Sequence, residues 1–176
     1  KRVVLVAAPH QSGKDEYLMI LIILALDVDV CYLSAKWTMR RIPNPFEKSK
    51  DIDDQGIKWP LGWLQEIIFR RFGAIPVDRK GNSGQYDSVI EELKKRDSFL
   101  LIVTPEGRFD ATRFRTSFLF IAKELNAEVM PVQIDYENEI FNILESFNID
   151  GDAESVVKNL RLKFDGIKGK KSRFKA

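Results

Sequence analysis

The sequence predicts an α/β fold, a single domain with a mostly parallel central sheet and helices on both of its faces. Short apolar runs alternate along the chain with longer segments of helical character, the order typical of strand–helix–strand units. The chain has 176 residues, of which 44% are hydrophobic. A chain of this length and composition can bury one hydrophobic core.

The strands are predicted where a short run is rich in β-branched or other apolar residues. These runs are 3–7, 28–34, 74–77, 99–103 and 129–134. Pro9 ends the first strand, since proline lacks the N–H that a sheet needs. By the same reasoning, Pro131 predicts that the last of them is an edge or bulged strand.

The helices are predicted from apolar periodicity together with signals at their ends. These segments are 12–26, 61–72, 85–96, 117–125 and 152–164. Ser12 and Asp15 have capping-box spacing at the start of the first helix, and Gly73 is a typical C-terminal signal after the second. The polar segments 43–58 and 78–84 are predicted to be loops.

The composition excludes several classes of protein. Cys31 is the only cysteine, so the chain cannot form an internal disulfide. Cys31 and His10, the only histidine, supply fewer ligands than a zinc site of the Cys/His type needs. The longest apolar run, Tyr17–Leu26, is shorter than the about 20 residues that a membrane-spanning helix needs.

Charge is distributed unevenly near the C-terminus. Residues 135–155 contain seven acids and no Lys or Arg, whereas residues 158–176 contain eight bases and one acid. We therefore expect a domain over residues 1–165 and a basic tail over residues 166–176. The tail is expected to be frayed and solvated, with contact to an anionic membrane surface as the alternative. Nucleic-acid binding is not expected, since the rest of the chain has no basic excess.

The first chemistry-bearing motif is His10-x-x-x-x-Asp15. His10 follows a predicted strand and Asp15 lies in the first turn of the next helix, so the chain can fold back between them. Asp15 could then bind one imidazole nitrogen while the other acts as a general base. In the alternative interpretation, Asp15 only completes the helix cap and interacts with the helix dipole.

The same segment also resembles a phosphate-binding loop, because Gly13-Lys14 lies between a strand and a helix. However, Ala8 occupies the position of the first glycine of that motif, and Asp15 occupies the position of the hydroxyl that holds Mg²⁺. A nucleotide-dependent phosphotransferase that uses Gly13-Lys14 therefore remains an alternative.

Two further motifs follow predicted strands. Arg79 ends the segment Gly-Ala-Ile-Pro-Val-Asp-Arg, and its guanidinium could hold a phosphate through two hydrogen bonds. Glu106, Gly107 and Arg108 follow strand 99–103 and offer an acid, a tight turn and a cation. The alternatives are a surface Asp–Arg pair and an ordinary polar turn.

In their order and spacing, these motifs together with Val-Met-Pro-Val at 129–132 resemble the glycerolipid acyltransferase family, typified by 1-acylglycerol-3-phosphate O-acyltransferase. The resemblance extends from about Val3 to Tyr136. Lys36 and the turn 59–63 also lie where the family tends to have a Lys and a Pro-x-Gly-Trp-like turn. Arg108 departs from the family pattern Pro-Glu-Gly-Thr-Arg, because it directly follows the glycine.

The resemblance implies a fold like that of glycerol-3-phosphate acyltransferase. It also implies acyl transfer from acyl-CoA or acyl-carrier protein to a hydroxyl of a lysophospholipid such as lysophosphatidate. His10 would be the base and Asp15 its partner. The residues implied in binding the acceptor and its phosphate are Arg79, Glu106, Gly107 and Arg108, with Ser12, Lys36, Arg113 and Arg115 as secondary candidates.

The implied reaction needs no metal and no cofactor besides the acyl thioester, and it needs no enzyme nucleophile because a thioester is already activated. Cys31 is expected to be an inert core thiol. The expected location is cytoplasmic, either free or peripheral to a membrane. A non-catalytic module that binds lipid at a membrane surface is the remaining alternative.

Overall fold

A computed structural model describes residues 1–11, 15, 29–42, 56–77, 86–106 and 114–170. The chain divides into two compact units. The first unit comprises Lys1–Asp29 and Asp97–Ala176, and the second comprises Val30–Arg96. That residues 1–165 form a single domain stays a prediction.

In chain order, the strands are β1 Arg2–Ala8, β2 Val30–Ala35, β3 Arg41–Ile42, β4 Ile57–Lys58, β5 Ala74–Val77, β6 Phe99–Val103, β7 Glu128–Asp135 and β8 Ile140–Ile143. The described helices are α1 Gly62–Arg71, α2 Asp87–Lys94, α3 Ser117–Glu124 and α4 Ala153–Phe164, and a 3₁₀ turn covers Lys36–Met39. The predicted strands are confirmed to within a few residues at their ends, as are the four predicted helices that fall in described segments. Of the predicted helix 12–26 only Asp15 is described, and its backbone is helical. Most of the two predicted loops also lies outside the described residues.

In the first unit, four strands form a sheet in the order β6-β1-β7-β8. β1 pairs in parallel with β6 and with β7, and β8 pairs antiparallel with β7. The α/β class with mostly parallel strands is thus confirmed. The prediction that Pro131 marks an edge or bulged strand is wrong. β7 lies between β1 and β8, the Pro131 carbonyl accepts a hydrogen bond from the Leu144 N–H, and the register with β1 continues unbroken through Pro131.

The core of the first unit lies against this sheet. Val4, Val6, Leu101 and Val129 are completely buried on its strands, as expected of parallel strands with both faces covered. Helix α4 contributes three buried side chains, those of Val156, Leu160 and Phe164. Asp152 caps this helix, since its carboxylate accepts hydrogen bonds from the N–H groups of Glu154 and Ser155.

The beginning of the basic tail packs against the first unit. The carbonyl of Lys168 accepts a hydrogen bond from the Tyr136 N–H, at 2.8 Å, and Gly169 is buried. A backbone hydrogen bond thus connects this segment to the end of β7, although Gly166, Lys168 and Lys170 are exposed. That the tail is frayed and solvated stays a prediction. Residues 171–176 lie outside the described residues.

In the second unit, β2 and β5 pair in parallel, from Tyr32 opposite Ala74 to Ala35 opposite Val77. Gly73 connects α1 to β5 with φ +84°, a left-handed conformation that glycine adopts without strain. β3 and β4 form a short antiparallel pair that the sequence did not predict. None of the helices in the described segments is both long and apolar enough to cross a membrane.

Candidate active site

The candidate site lies in the first unit, where three neighbouring parallel strands end. His10 follows the end of β1, Glu106 follows β6 and Tyr136 directly follows β7. Because parallel strands bring their carboxyl ends to one edge of a sheet, residues far apart in the sequence meet there. This edge is where open α/β sheets bind their ligands.

His10 and Asp15 form the centre of the site. Nδ1 of His10 lies 3.2 Å from Oδ2 of Asp15, within hydrogen-bonding distance. His10 is 8% exposed and Asp15 is 1% exposed, so the pair is shielded from water. Such shielding strengthens the interaction of the carboxylate with an imidazolium cation. The contact expected between His10 and Asp15 is present.

The Asp15 carboxylate has further partners on both of its oxygens. Oδ2 also accepts a hydrogen bond from the Gln11 N–H, at 2.9 Å, and Oδ1 accepts one from the Tyr136 hydroxyl. Burial, together with the hydrogen bond to Asp15 and the charge of that carboxylate, raises the pKa of Tyr136 to about 12. Tyr136 therefore stays protonated at neutral pH and can only donate to Asp15, which fixes the carboxylate in place.

Glu106 lies on the other side of His10 and is 3% exposed. Its Oε1 accepts a hydrogen bond from the backbone N–H of His10, at 3.1 Å. Its Oε2 is buried and has no hydrogen-bond partner among the residues that the structure describes. Burial raises the pKa of Glu106 to about 7, so that this carboxyl can gain or lose a proton near neutral pH.

The structure places two of the secondary candidates. Arg115 is exposed, and its backbone N–H donates to the Pro105 carbonyl at 2.8 Å, so it lies beside the turn that carries Glu106. Lys36 belongs to the second unit, where it lines a pocket of about 930 Å³. Several predicted site residues lie outside the described residues, namely Ser12, Gly13, Lys14, Arg79, Gly107, Arg108 and Arg113.

Two participants in the site were missed by sequence reasoning, Tyr136 and the backbone N–H of Gln11. A signal for Tyr136 was present, since it comes two residues after the predicted strand 129–134, just as His10 and Glu106 come shortly after predicted strands. Gln11 contributes through its backbone, for which its residue type carries no signal. Its side chain lies against Gly169, where an added Cβ would come within 2.5 Å of Oε1 of Gln11.

Cys31 is buried in β2, consistent with the expected core thiol. Within the described segments, no cluster of three or more His, Cys, Asp or Glu side chains is arranged to bind a metal ion. No family model, no curated protein and no solved structure matches the chain. The resemblance to the glycerolipid acyltransferases therefore rests on the motifs of this sequence alone.

Proposed function

We propose that the chain is an O-acyltransferase with a fold of the glycerol-3-phosphate acyltransferase type. It would move a fatty acyl group from acyl-CoA or acyl-carrier protein to a hydroxyl of a lysophospholipid such as lysophosphatidate. The observation that carries this proposal is the buried pair of His10 Nδ1 and Asp15 Oδ2, 3.2 Å apart, next to Glu106. The motif order that resembles the family adds a reason to choose acyl transfer over other base-catalysed reactions.

In this reaction, Nε2 of His10 takes the proton of the acceptor hydroxyl as its oxygen attacks the thioester carbonyl carbon. The new C–O bond forms, the C–S bond breaks, and the departing thiolate recovers the proton from the imidazolium. Asp15 stabilises the imidazolium and holds the ring through Nδ1, so that Nε2 is the nitrogen that exchanges the proton. No covalent intermediate with the enzyme is required.

Glu106 and Arg115 are suited to binding the acceptor. The second carboxylate oxygen of Glu106 is a buried acceptor that a hydroxyl of a ligand could satisfy, and such a group costs about 1–3 kcal/mol while it has no partner. Arg115 places a cation beside the Glu106 turn, where a phosphate could pair with it. Lys36, Arg79, Gly107 and Arg108 remain candidates for the same task.

The phosphotransferase alternative is less well supported. A phosphate-binding loop would use the side chain at position 15 to hold Mg²⁺. Here both oxygens of Asp15 are already engaged by His10, Gln11 and Tyr136. Acyl transfer uses that arrangement as it stands, whereas Mg²⁺ binding would have to break it.

The direct test measures thiol release from acyl-CoA, and in parallel from acyl-carrier protein, with lysophosphatidate as the acceptor. We expect turnover by the purified chain, reduced by about 10²–10⁴-fold in His10→Ala. Tyr86→Phe is the control, because the Tyr86 hydroxyl makes no hydrogen bond within the described part of the chain. Equal turnover of wild type and His10→Ala would contradict the mechanism, and lack of turnover with either donor would contradict the function.

A further inference from the structure

Helix α1 of the second unit exposes an apolar face. Trp63 and Ile67 are 57% and 56% exposed, and Leu64, Ile68 and Phe72 on the same side are also exposed. At 100° per residue these five side chains span about half of the helix circumference. A soluble helix ordinarily buries such a face against its own core.

The opposite side of α1 makes polar contacts instead. The Gln65 amide donates to the carbonyls of Thr38 and Arg41, at 2.7 and 3.1 Å, and accepts from the Trp59 indole N–H. Glu66, next in the sequence, binds the guanidinium groups of Arg40 and Arg70. These hydrogen bonds fix the rotation of α1, so its apolar face is held outward by specific contacts.

The residues that the structure describes on and beside α1 include more bases than acids. Segments 36–42 and 56–77 contain six bases and a single acid, Glu66. Two Arg side chains hold that acid, and they keep its pKa below the ordinary value. Arg71 is exposed on the apolar side of α1 itself. An apolar stripe that includes Trp and is accompanied by basic residues is typical of helices that lie in the interface of an anionic membrane.

A pocket beside α1 has the same character. It is lined by Trp37, Trp59 and Trp63, the three tryptophans of the chain, and by several cations. Tryptophan prefers the boundary between water and hydrocarbon, and the cations suit lipid phosphates. The pocket lies on the side of α1 that carries Gly62 and Glu66, and it meets the apolar face at Trp63.

We propose that α1 is a membrane-docking helix, which lies flat on an anionic phospholipid surface with Trp63, Ile67 and Phe72 inserted among the lipids. This surface differs from the basic C-terminal tail, for which membrane contact was an expectation from the sequence. The proposal does not depend on the chemistry of His10, which lies in the first unit.

Tryptophan fluorescence gives a direct test, because Trp63 lies on the proposed surface and is 57% exposed. The probe is a vesicle of phosphatidylcholine and phosphatidylglycerol in equal parts, compared with phosphatidylcholine alone. We expect a blue shift and quenching by brominated acyl chains on the anionic vesicles only, with binding that weakens as NaCl is raised. Equal binding to both vesicles, or none, would overturn the proposal.

Variants locate the contact. Ile67→Glu should weaken vesicle binding at least about tenfold, since it places a charge in the inserted face. Leu162→Glu in α4 is the matched control, because Leu162 is an apolar helix residue that is 59% exposed. Arg71→Gln should weaken binding about fivefold, the share of one cation near an anionic surface, whereas Lys123→Gln in α3 should not.

Two outcomes would contradict the membrane-docking role of α1. Binding that survives Ile67→Glu but is lost in a Lys171→Glu/Lys175→Glu variant would place membrane contact on the tail. If the chain does not bind vesicles but self-associates, and Ile67→Glu abolishes that self-association, α1 would be an interface between two copies. A thiol-release assay with a monodisperse, short-chain lysophosphatidate keeps this question separate from acyl transfer.

Discussion

The hydroxyl of Tyr136 donates a hydrogen bond to Oδ1 of Asp15, a residue 121 positions earlier in the chain. This contact joins the residue after β7 to the partner of the candidate base. Its position opposite His10 leaves Asp15 held from both sides, by the imidazole and Gln11 on Oδ2 and by the phenol on Oδ1. The contact makes Tyr136 a candidate positioning residue.

Tyr136→Phe should destabilise the chain by about 1.5–3 kcal/mol, the ordinary worth of a hydrogen bond to a charged group. Turnover should also fall, mainly in kcat, because Asp15 then holds the His10 ring less firmly. Urea unfolding and thiol-release kinetics measure the two effects. Tyr86→Phe should leave both unchanged, and a Tyr136→Phe variant with wild-type kcat would show that the contact is structural only.

Asp15→Asn should lower turnover by about 10²–10⁴-fold, because a neutral amide stabilises the imidazolium less than a carboxylate does. The measurement is thiol release at saturating donor and acceptor. Asp87→Asn, at the start of α2, provides a matched control outside the site. Full activity in Asp15→Asn would support the alternative that Asp15 serves only as part of the helix cap.

Stability should depend on pH through Glu106. Its pKa is about 7 in the folded chain and near the ordinary 4.5 when unfolded, so the folded state binds the proton more tightly. The contribution of Glu106 to the free energy of unfolding is therefore fully present below about pH 4.5. It is lost as the pH rises through 7, and the total loss is about 3 kcal/mol.

Urea unfolding of wild type and Glu106→Gln between pH 4.5 and 8 measures this contribution. The glutamine is neutral at every pH in this range. The free energy of unfolding of the variant should therefore not fall as the pH rises, and above pH 7 the variant should be more stable than wild type. Glu124→Gln, at the exposed end of α3, should keep the wild-type profile. Parallel profiles for wild type and Glu106→Gln would refute the raised pKa.

Gly73→Ala should destabilise the chain more than Gly151→Ala does. Both glycines have positive φ, +84° and +97°, which costs a non-glycine residue about 1–2 kcal/mol. At Gly73 the new Cβ would also lie 2.1 Å from the Val30 carbonyl oxygen, whereas Gly151 faces open space. The clash should add about 1–3 kcal/mol, measured by urea unfolding. Equal losses of stability at both positions would mean that the backbone near Val30 can move away from the new Cβ without cost.

The sequence alone was enough to predict the strands of the parallel sheet and the helices that the structure describes. Apolar runs such as 99–103 indicate a buried strand, because a strand with both faces covered is apolar at every position and a helix is ordinarily longer. Local signals also worked, as with Gly73 at the end of α1. They depend only on neighbours in the chain.

Partner choice over long distances was decided by the tertiary structure. The pairing of β1 with β6 and β7 brings Glu106 to the His10 backbone and Tyr136 to Asp15, contacts that no local pattern encodes. The same holds for Pro131, whose strand gains a neighbour from β8, a segment of four residues that sequence reasoning did not predict as a strand.

His10 shows which properties the sequence predicts and which the tertiary structure decides. Sequence reasoning identified His10 as the only imidazole available and Asp15 as its possible partner. Only the fold buried both, set Nδ1 against Oδ2 and placed a carboxyl of raised pKa on the backbone of the same residue. The physical reason is that residue type determines which chemistry a side chain can do, whereas burial and partners set its pKa and orientation, and those come from strands distant in the sequence.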